Sequence, residues 1–502
     1  MSAIVQTHSA RPRKLAILWL APLQAASLFT VWAISSGGET LRAWLLAATF
    51  WVMTMPLLAG LEGTLIAMML FEPLRGILRR AQYLLVSYSA QDPIHVLTPI
   101  VTLLAFAVLL KKQTLSMFWA TPIAGWVSAL ALIFFVEIFN PLQGGLFVGL
   151  TGALFMLVPV AWFYFGQAAG QRFMDKAFRL VVALGIIGSI YGLFQLIFGY
   201  PSFEQYWLDH TDFFNSIAVG HVTRALGTFS SAEEWGRYTQ IGAIIALGMA
   251  LVPQRLSTRV IWFLCAGALV GGILFSGQRT AVFGFMMGAG SLILLGARNM
   301  GRAAFRLGIV LLPIVLVAMF VTPPADDEIW NKDESQTVST LLTHTQRGTL
   351  KPAEEESLQI RLENWSYLIT SVIPYRPLGA GIGAGSLGDL RANGDNELPP
   401  IDNFILVLAI ACGIPGALLF VWILLRSTWL SLVLARSGIG DDKAHINRII
   451  AAIMPTMILN NIFGLTFSIY SVAPLAWLFI GWISAETARA RQARSEREVL
   501  VI

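Results

Sequence analysis

Apolar runs long enough to cross a bilayer recur along this chain from residue 15 to residue 488, and all but one of the polar breaks between them are short. A run of about 20 apolar residues spans the hydrocarbon core, and backbone groups in lipid must be satisfied within the segment, so the runs predict helices. No ten-residue alternation of the barrel kind is present. The expected fold is all-α, a polytopic transmembrane bundle of about 12–14 spans with one large external loop holding short helices. The pattern divides the chain into a tail at 1–14, membrane segments at 15–322, a loop at 323–400, membrane segments at 401–488 and a tail at 489–502. A polar loop of that length inside a packed bundle is usually functional or disordered.

Composition agrees. Hydrophobic residues make up 56% and charged residues 13% of the 502 positions, against about 25% charged in soluble domains, and mean hydropathy is +0.68. The net charge of +5 is too small to argue for nucleic acid. Cys265 and Cys412 fall in apolar runs without metal-type spacing, and the six histidines form no ligand pattern, so neither metal nor cofactor is expected. Arg11-Pro-Arg-Lys14 before an apolar run resembles a signal peptide, but the many later spans favour a retained anchor.

Counting back from the basic tail Arg489–Arg497 orients the spans. Arg426, Arg436, Lys443 and Arg448 fall inside, as do Arg298, Arg302, Arg255, Arg259, Arg172, Lys176, Arg179, Lys111 and Lys112. Segments 200–235, 276–280 and 323–400 fall outside. Near the N-terminus the count closes only with an extra crossing around 61–74, which places Arg75, Arg79 and Arg80 outside against the charge rule. Arg79 and Arg80 would fit there as anion binders; an interfacial segment is the alternative.

Candidate chemistry collects on the outer side. Ser231 with Glu234 three residues on is a capping box opening a helix, with Arg224 just ahead of it. A helix N-terminus and a guanidinium together suit a phosphate group, and serve equally well as a cap with a headgroup anchor. Arg279 sits in a tight hairpin, Ser276-Gly-Gln-Arg-Thr280, at the membrane boundary, where a charge calls for a partner. Residues 358–373 read as a helix with Arg361 and Trp365 one turn apart, Trp365 offering a platform for a sugar ring. Gly379, Gly381, Gly383 and Gly385 lack the strand a dinucleotide site requires; they suit a phosphate-approaching turn or a hinge. Asp402 and Asn403 open the span at 401–425, where Asp402 could act as a base or cap the helix.

Taken in order, Arg224-x-x-Gly-Thr-Phe, Ser-x-x-Arg279-Thr, Arg361-x-x-x-Trp365, Pro377-x-Gly-x-Gly and Asp402-Asn403 ahead of Gly413-Ile-Pro-Gly416 resemble the O-antigen ligase and polysaccharide polymerase family of bacterial membrane glycosyltransferases. The resemblance covers residues 180–425. It implies a multi-pass inner-membrane enzyme, active at the periplasmic face. The implied reaction uses undecaprenyl-pyrophosphate-linked oligosaccharide as donor and acceptor, without metal and with inversion. Arg224, Arg279 and Arg361 would hold the pyrophosphate, with Trp365, Glu234, Asn403, Arg79 and Arg80 as further substrate contacts and Asp402 as base. Asp402 stands where ligases of the family carry a histidine, which looks more like the exopolysaccharide-polymerase branch. Chain-length regulators and export proteins are implied partners. A ligase acting on lipid or protein, a flippase, and a non-catalytic scaffold are the rival readings. A flippase calls for ionisable groups deep in the spans, and the runs are mostly uncharged there.

Overall fold

A computed structural model describes residues 40–58, 60–87, 92–113, 115–211, 218–219, 222–296, 356–384, 398–399, 401–436 and 443–500. Expectations for the span at 15–35, Arg298, Arg302, Gly385 and most of the loop at 323–400 lie outside these residues.

The described chain is helical throughout. In order it runs α1 (Thr40–Thr54), α2 (Leu61–Gln82), α3 (Leu97–Lys112), α4 (Ala124–Glu137), α5 (Leu146–Met156), α6 (Ala161–Ala168), α7 (Gln171–Phe198) and α8 (Ser202–His210). A two-residue antiparallel pairing of Ala218–Val219 with Val222–Thr223 follows. The chain continues through α9 (Ala232–Ala250), α10 (Leu256–Phe275), α11 (Arg279–Gly296), α12 (Glu356–Tyr367), α13 (Phe404–Ala411), α14 (Gly413–Arg436), α15 (Ala444–Ile462) and α16 (Ala473–Leu500). Among the described residues, seven helical segments are long and apolar enough to cross a membrane: 41–58, 93–112, 146–168, 171–198, 256–275, 279–296 and 413–436. The all-α polytopic bundle expected from the sequence is the architecture found.

Helix α9 is the axis of the bundle. It is buried on nearly every face and packs against α7, α10, α11 and α15, and one continuous apolar core joins these helices to α2, α3, α6, α14 and α16. Lipid tails are as apolar as the core, so dispersion contacts and close packing hold such helices together.

The segment expected as an extra crossing near 61–74 belongs to one helix, α2, of 22 residues, which is not among the segments apolar enough to cross a membrane. Glu72, Pro73, Arg75, Arg79 and Arg80 lie inside it and are all buried, which explains why it does not register as an apolar span. Gly76 fixes where it packs. A Cβ there would meet the carbonyl of Phe229 at 2.2 Å, so only glycine lets α2 lie against the chain leading into α9. The α2 arginines therefore sit on the same side as residues 224–231.

A separate set of contacts joins some of the positions expected inside. His445 bonds Asp175 at 2.9 Å, Lys443 bonds Glu486 at 2.9 Å, and Arg489 also pairs with Glu486. Gln167 and Ser484 both bond Thr121.

The stretch expected as one span from 401 is broken: α13 ends at Ala411 and α14 starts at Gly413. Gly413 takes φ 71° and Gly379 takes φ 105°, values that side-chain-bearing residues rarely adopt. The carbonyls of Ile410 and Ala411, freed by the break, accept from Ala380 N–H (2.8 Å) and Gly381 N–H (3.0 Å). Ile382 N–H donates to the carbonyl of Glu137 at 3.2 Å and Gly383 N–H to Gln143 Oε1 at 3.0 Å. Each amide from Gly379 to Ala384 is bonded within the protein. The phosphate-turn reading of these glycines gives way to a clasp that lets a membrane helix break without orphaned backbone groups.

Candidate active site

Capping chemistry at the start of α9 aims the first arginine. Ser231 Oγ accepts from Glu234 N–H at 3.1 Å, and Glu234 Oε2 accepts from Ser230 N–H at 3.0 Å, the reciprocal box read from the sequence. This holds the 224–231 turn, and Tyr200 donates to the carbonyl of Arg224 from the side. Arg279 is the first residue of α11, and Arg361 lies in α12.

These three arginines, from segments far apart in sequence, share one neighbourhood. Burial pushes the Arg224 guanidinium below its usual pKa; the like charge of Arg361 adds to this and Glu233 opposes it. Arg279 is repelled by both Arg361 and Arg224. Like charges held together in a partly dry setting are unfavourable unless something anionic joins them. Two buried donors point the same way. Arg224 Nε and Trp365 Nε1 have no hydrogen-bond partner among the described residues, and leaving a buried donor unmade costs about 1–3 kcal/mol. The arrangement asks for an oxygen-rich anion.

Asp402 joins the group through Arg361, whose Nε donates to Asp402 Oδ2 at 3.0 Å. Their side chains are 37% and 47% exposed, so the pair is accessible and solvent-screened. Asp402 does not cap α13. Asn403 does, its Oδ1 accepting from Ile405 N–H (3.0 Å) and Leu406 N–H (3.1 Å).

A second layer, not foreseen from the sequence, supports the site. Arg237, one turn after Glu233, is 1% exposed. It bonds Glu233 at 2.9 Å, the Asn460 carbonyl at 2.8 Å, Thr466 Oγ1 at 2.8 Å and the Phe463 carbonyl at 3.1 Å. A Cβ at Gly464 would lie 1.9 Å from the Arg237 guanidinium, so glycine makes this passage possible. The pinned 463–466 turn then receives two site elements. Trp365 packs on Phe463 with ring centroids 5.8 Å apart, and Phe404 N–H donates to the Gly464 carbonyl at 3.1 Å. The visible signal for Arg237 was its i, i+4 spacing from Glu233 at a helix start.

The other expected contacts are placed elsewhere. Arg80 donates to Glu204 Oε1 at 2.6 Å, the Phe229 carbonyl at 2.6 Å and the Gly227 carbonyl at 2.5 Å. Arg79 lies 3.9 Å from Asp92 and 5.8 Å from the Trp207 ring. Glu234 is buried, occupied by its cap and facing Arg75 at 3.8 Å. Asn403 is buried in its own cap. These side chains build the scaffold under the site, and the geometry does not bring them to its open face.

The helices are those of a multi-pass membrane protein, and Arg224, Arg279 and Arg361 form its candidate site. Residues 263–421 match the family model described as O-Antigen ligase (Wzy_C). The matched stretch is similar to that family and includes Arg279, Arg361, Trp365 and Asp402, while Arg224 lies outside it. No curated protein matches the chain.

Proposed function

We propose that this protein polymerises lipid-linked oligosaccharide repeat units at the outer face of a bacterial inner membrane. The observation that carries this reading is the trio Arg224, Arg279 and Arg361, mutually repelling and accompanied by two buried donors without partners. A polyprenyl pyrophosphate supplies the missing negative charge, and charge-assisted contacts to its oxygens are the strongest this trio can make.

The acceptor hydroxyl oxygen forms the new bond to the anomeric carbon as the bond from that carbon to the pyrophosphate oxygen breaks. Attack from the face opposite the leaving group inverts the carbon. The pyrophosphate leaves with the bonding electrons, held by the arginines, and the hydroxyl proton passes to Asp402. Binding of pyrophosphate to Arg361 competes with the 3.0 Å contact to Asp402, freeing that carboxylate for the hydroxyl when donor is present. Trp365 gives the sugar an apolar face and one donor. Energy for bond formation comes from the activated lipid, since ATP is absent outside the cytoplasm.

Transfer of a finished glycan to lipid or protein is the second reading, favoured by the description of the matched family. Asp402, in the place where ligases carry a histidine, favours polymerisation. Incubating the purified protein with lipid-linked repeat unit separates the two. A ladder of lengthening products from repeat unit alone supports polymerisation; product only when a different acceptor is added supports ligation. A deletion strain accumulating single repeat units on lipid supports the first, and long chains on the carrier the second.

A further inference from the structure

One turn further along α9 from the Glu234 cap, a small, partly open cavity of about 10 Å³ is lined by Glu72, Tyr238, Tyr470 and Ser471 together with apolar side chains from α2, α6 and α16. That is room for a single water-sized guest. All four polar lining groups are at least 96% buried. Among the described residues neither Glu72 oxygen, nor the Tyr238, Tyr470 or Ser471 hydroxyl, has a partner in good hydrogen-bond geometry; the Thr98 hydroxyl lies near Glu72, the Thr102 hydroxyl near Tyr470, and Arg75 3.3 Å from Glu72. Glu72, Tyr238, Tyr470 and Ser471 thus bring five side-chain oxygens to the residues around one small space.

The surrounding charges do not balance. Arg80 is paired with Glu204 and Arg79 with Asp92. Arg75 alone faces two carboxylates, Glu72 at 3.3 Å and Glu234 at 3.8 Å. Three guanidiniums thus meet four carboxylates, and the surplus negative charge lies at the cavity wall. The other groups facing Glu72 and Tyr470 are the neutral hydroxyls of Thr98 and Thr102 from α3. A buried unpaired carboxylate is strongly unfavourable and is neutralised or paired in stable proteins.

We propose that this chamber is a binding site for one monovalent cation, either a proton carried on Glu72 with a bound water or a sodium ion held by the five oxygens. The guest balances the fourth carboxylate and gives the orphaned hydroxyls a partner. The site is distinct from the arginine cluster and does not depend on glycosyl transfer. Arg75 and the Glu234 cap lie between the two, so occupancy of the chamber sets the charge under the start of α9.

The test is thermal unfolding of the purified full-length protein in detergent, followed by tryptophan fluorescence. One arm titrates sodium against choline at constant ionic strength and fixed pH; the other lowers pH from 8.5 to 6 in choline alone. A sodium guest raises the wild-type melting temperature on the order of 2 °C per tenfold sodium, with a small pH response. A proton guest gives a flat sodium arm and a melting temperature that rises as pH falls, because the neutral carboxyl is the form that tolerates burial. In either case Glu72→Gln removes the response, and Tyr470→Phe, which deletes one oxygen while keeping the ring, weakens it. If wild type and Glu72→Gln respond identically in both arms, the proposal is overturned. If Glu72→Gln fails to fold, an unaltered response in Tyr470→Phe overturns it in the same way.

Discussion

Two sets of three arginines lie on the same side of this bundle, and their surroundings are opposite. Arg75, Arg79 and Arg80 share one helix, lie under 10% exposed, and each faces a carboxylate. Arg224, Arg279 and Arg361 come from three segments and repel one another. The first set is neutralised from within and ties α2 to α8 and the 224–231 turn. The second set is only partly countered, Arg361 by the half-exposed Asp402 and Arg224 by Glu233, and under the proposed reading a pyrophosphate joins it. An arginine takes its role from its counter-charges, and for Arg80 that counter-charge sits 124 positions away in sequence.

The contrast is sharpest at Arg80. Replacing it by alanine strands Glu204, which is fully buried, and removes donors from two carbonyls; breaking such a pair costs about 3–5 kcal/mol. Arg80→Ala is expected to unfold or fail to insert, as a melting curve or expression level will show. Arg361→Ala or Arg279→Ala is expected to lower the transfer rate by roughly 10²–10³ while leaving the melting temperature unchanged or raised, because a like charge has been removed. A large loss of stability in these two variants would erase the distinction.

Carboxylates carry the same comparison one step down. Asp402→Asn breaks an exposed ion pair, worth under about 1 kcal/mol of stability, yet is expected to lower the rate by at least about 10² if the carboxylate takes the acceptor proton. A stable Asp402→Asn protein with near-normal rate would reduce Asp402 to a positioner of Arg361. The smallest effect is expected at Trp365. Trp365→Phe keeps the packing on Phe463 and removes one donor, so substrate affinity should fall about fivefold, near the 1 kcal/mol of a single hydrogen bond, with stability held.

Much of this was legible in the sequence. Apolar run length gave the helical bundle. The capping box at Ser231 and Glu234 and the pairing of Arg361 with Trp365 on one helix were readable from spacing alone. What spacing could not show was long-range pairing. Arg80 meets Glu204 across 124 positions, so its neutralisation was invisible, and Arg79 and Arg80 read as open anion binders. Arg237 binds a turn more than 220 positions away and read as ordinary. The glycine-rich turn was ambiguous because its partners, the carbonyls of Ile410 and Ala411, exist only where a helix breaks. Asp402 and Asn403 are adjacent, and only backbone geometry decides which one caps.

The central claim is that Arg224, Arg279 and Arg361 together hold a diphosphate. Its most direct test is the melting shift of the purified protein on adding pyrophosphate, compared between wild type, the combined Arg224→Gln, Arg279→Gln, Arg361→Gln variant, and the conservative Arg79→Lys. Wild type and Arg79→Lys should be stabilised to the same degree, less so as salt rises, and the combined variant should show no shift. An equal shift in the combined variant, or none in wild type, would contradict the account.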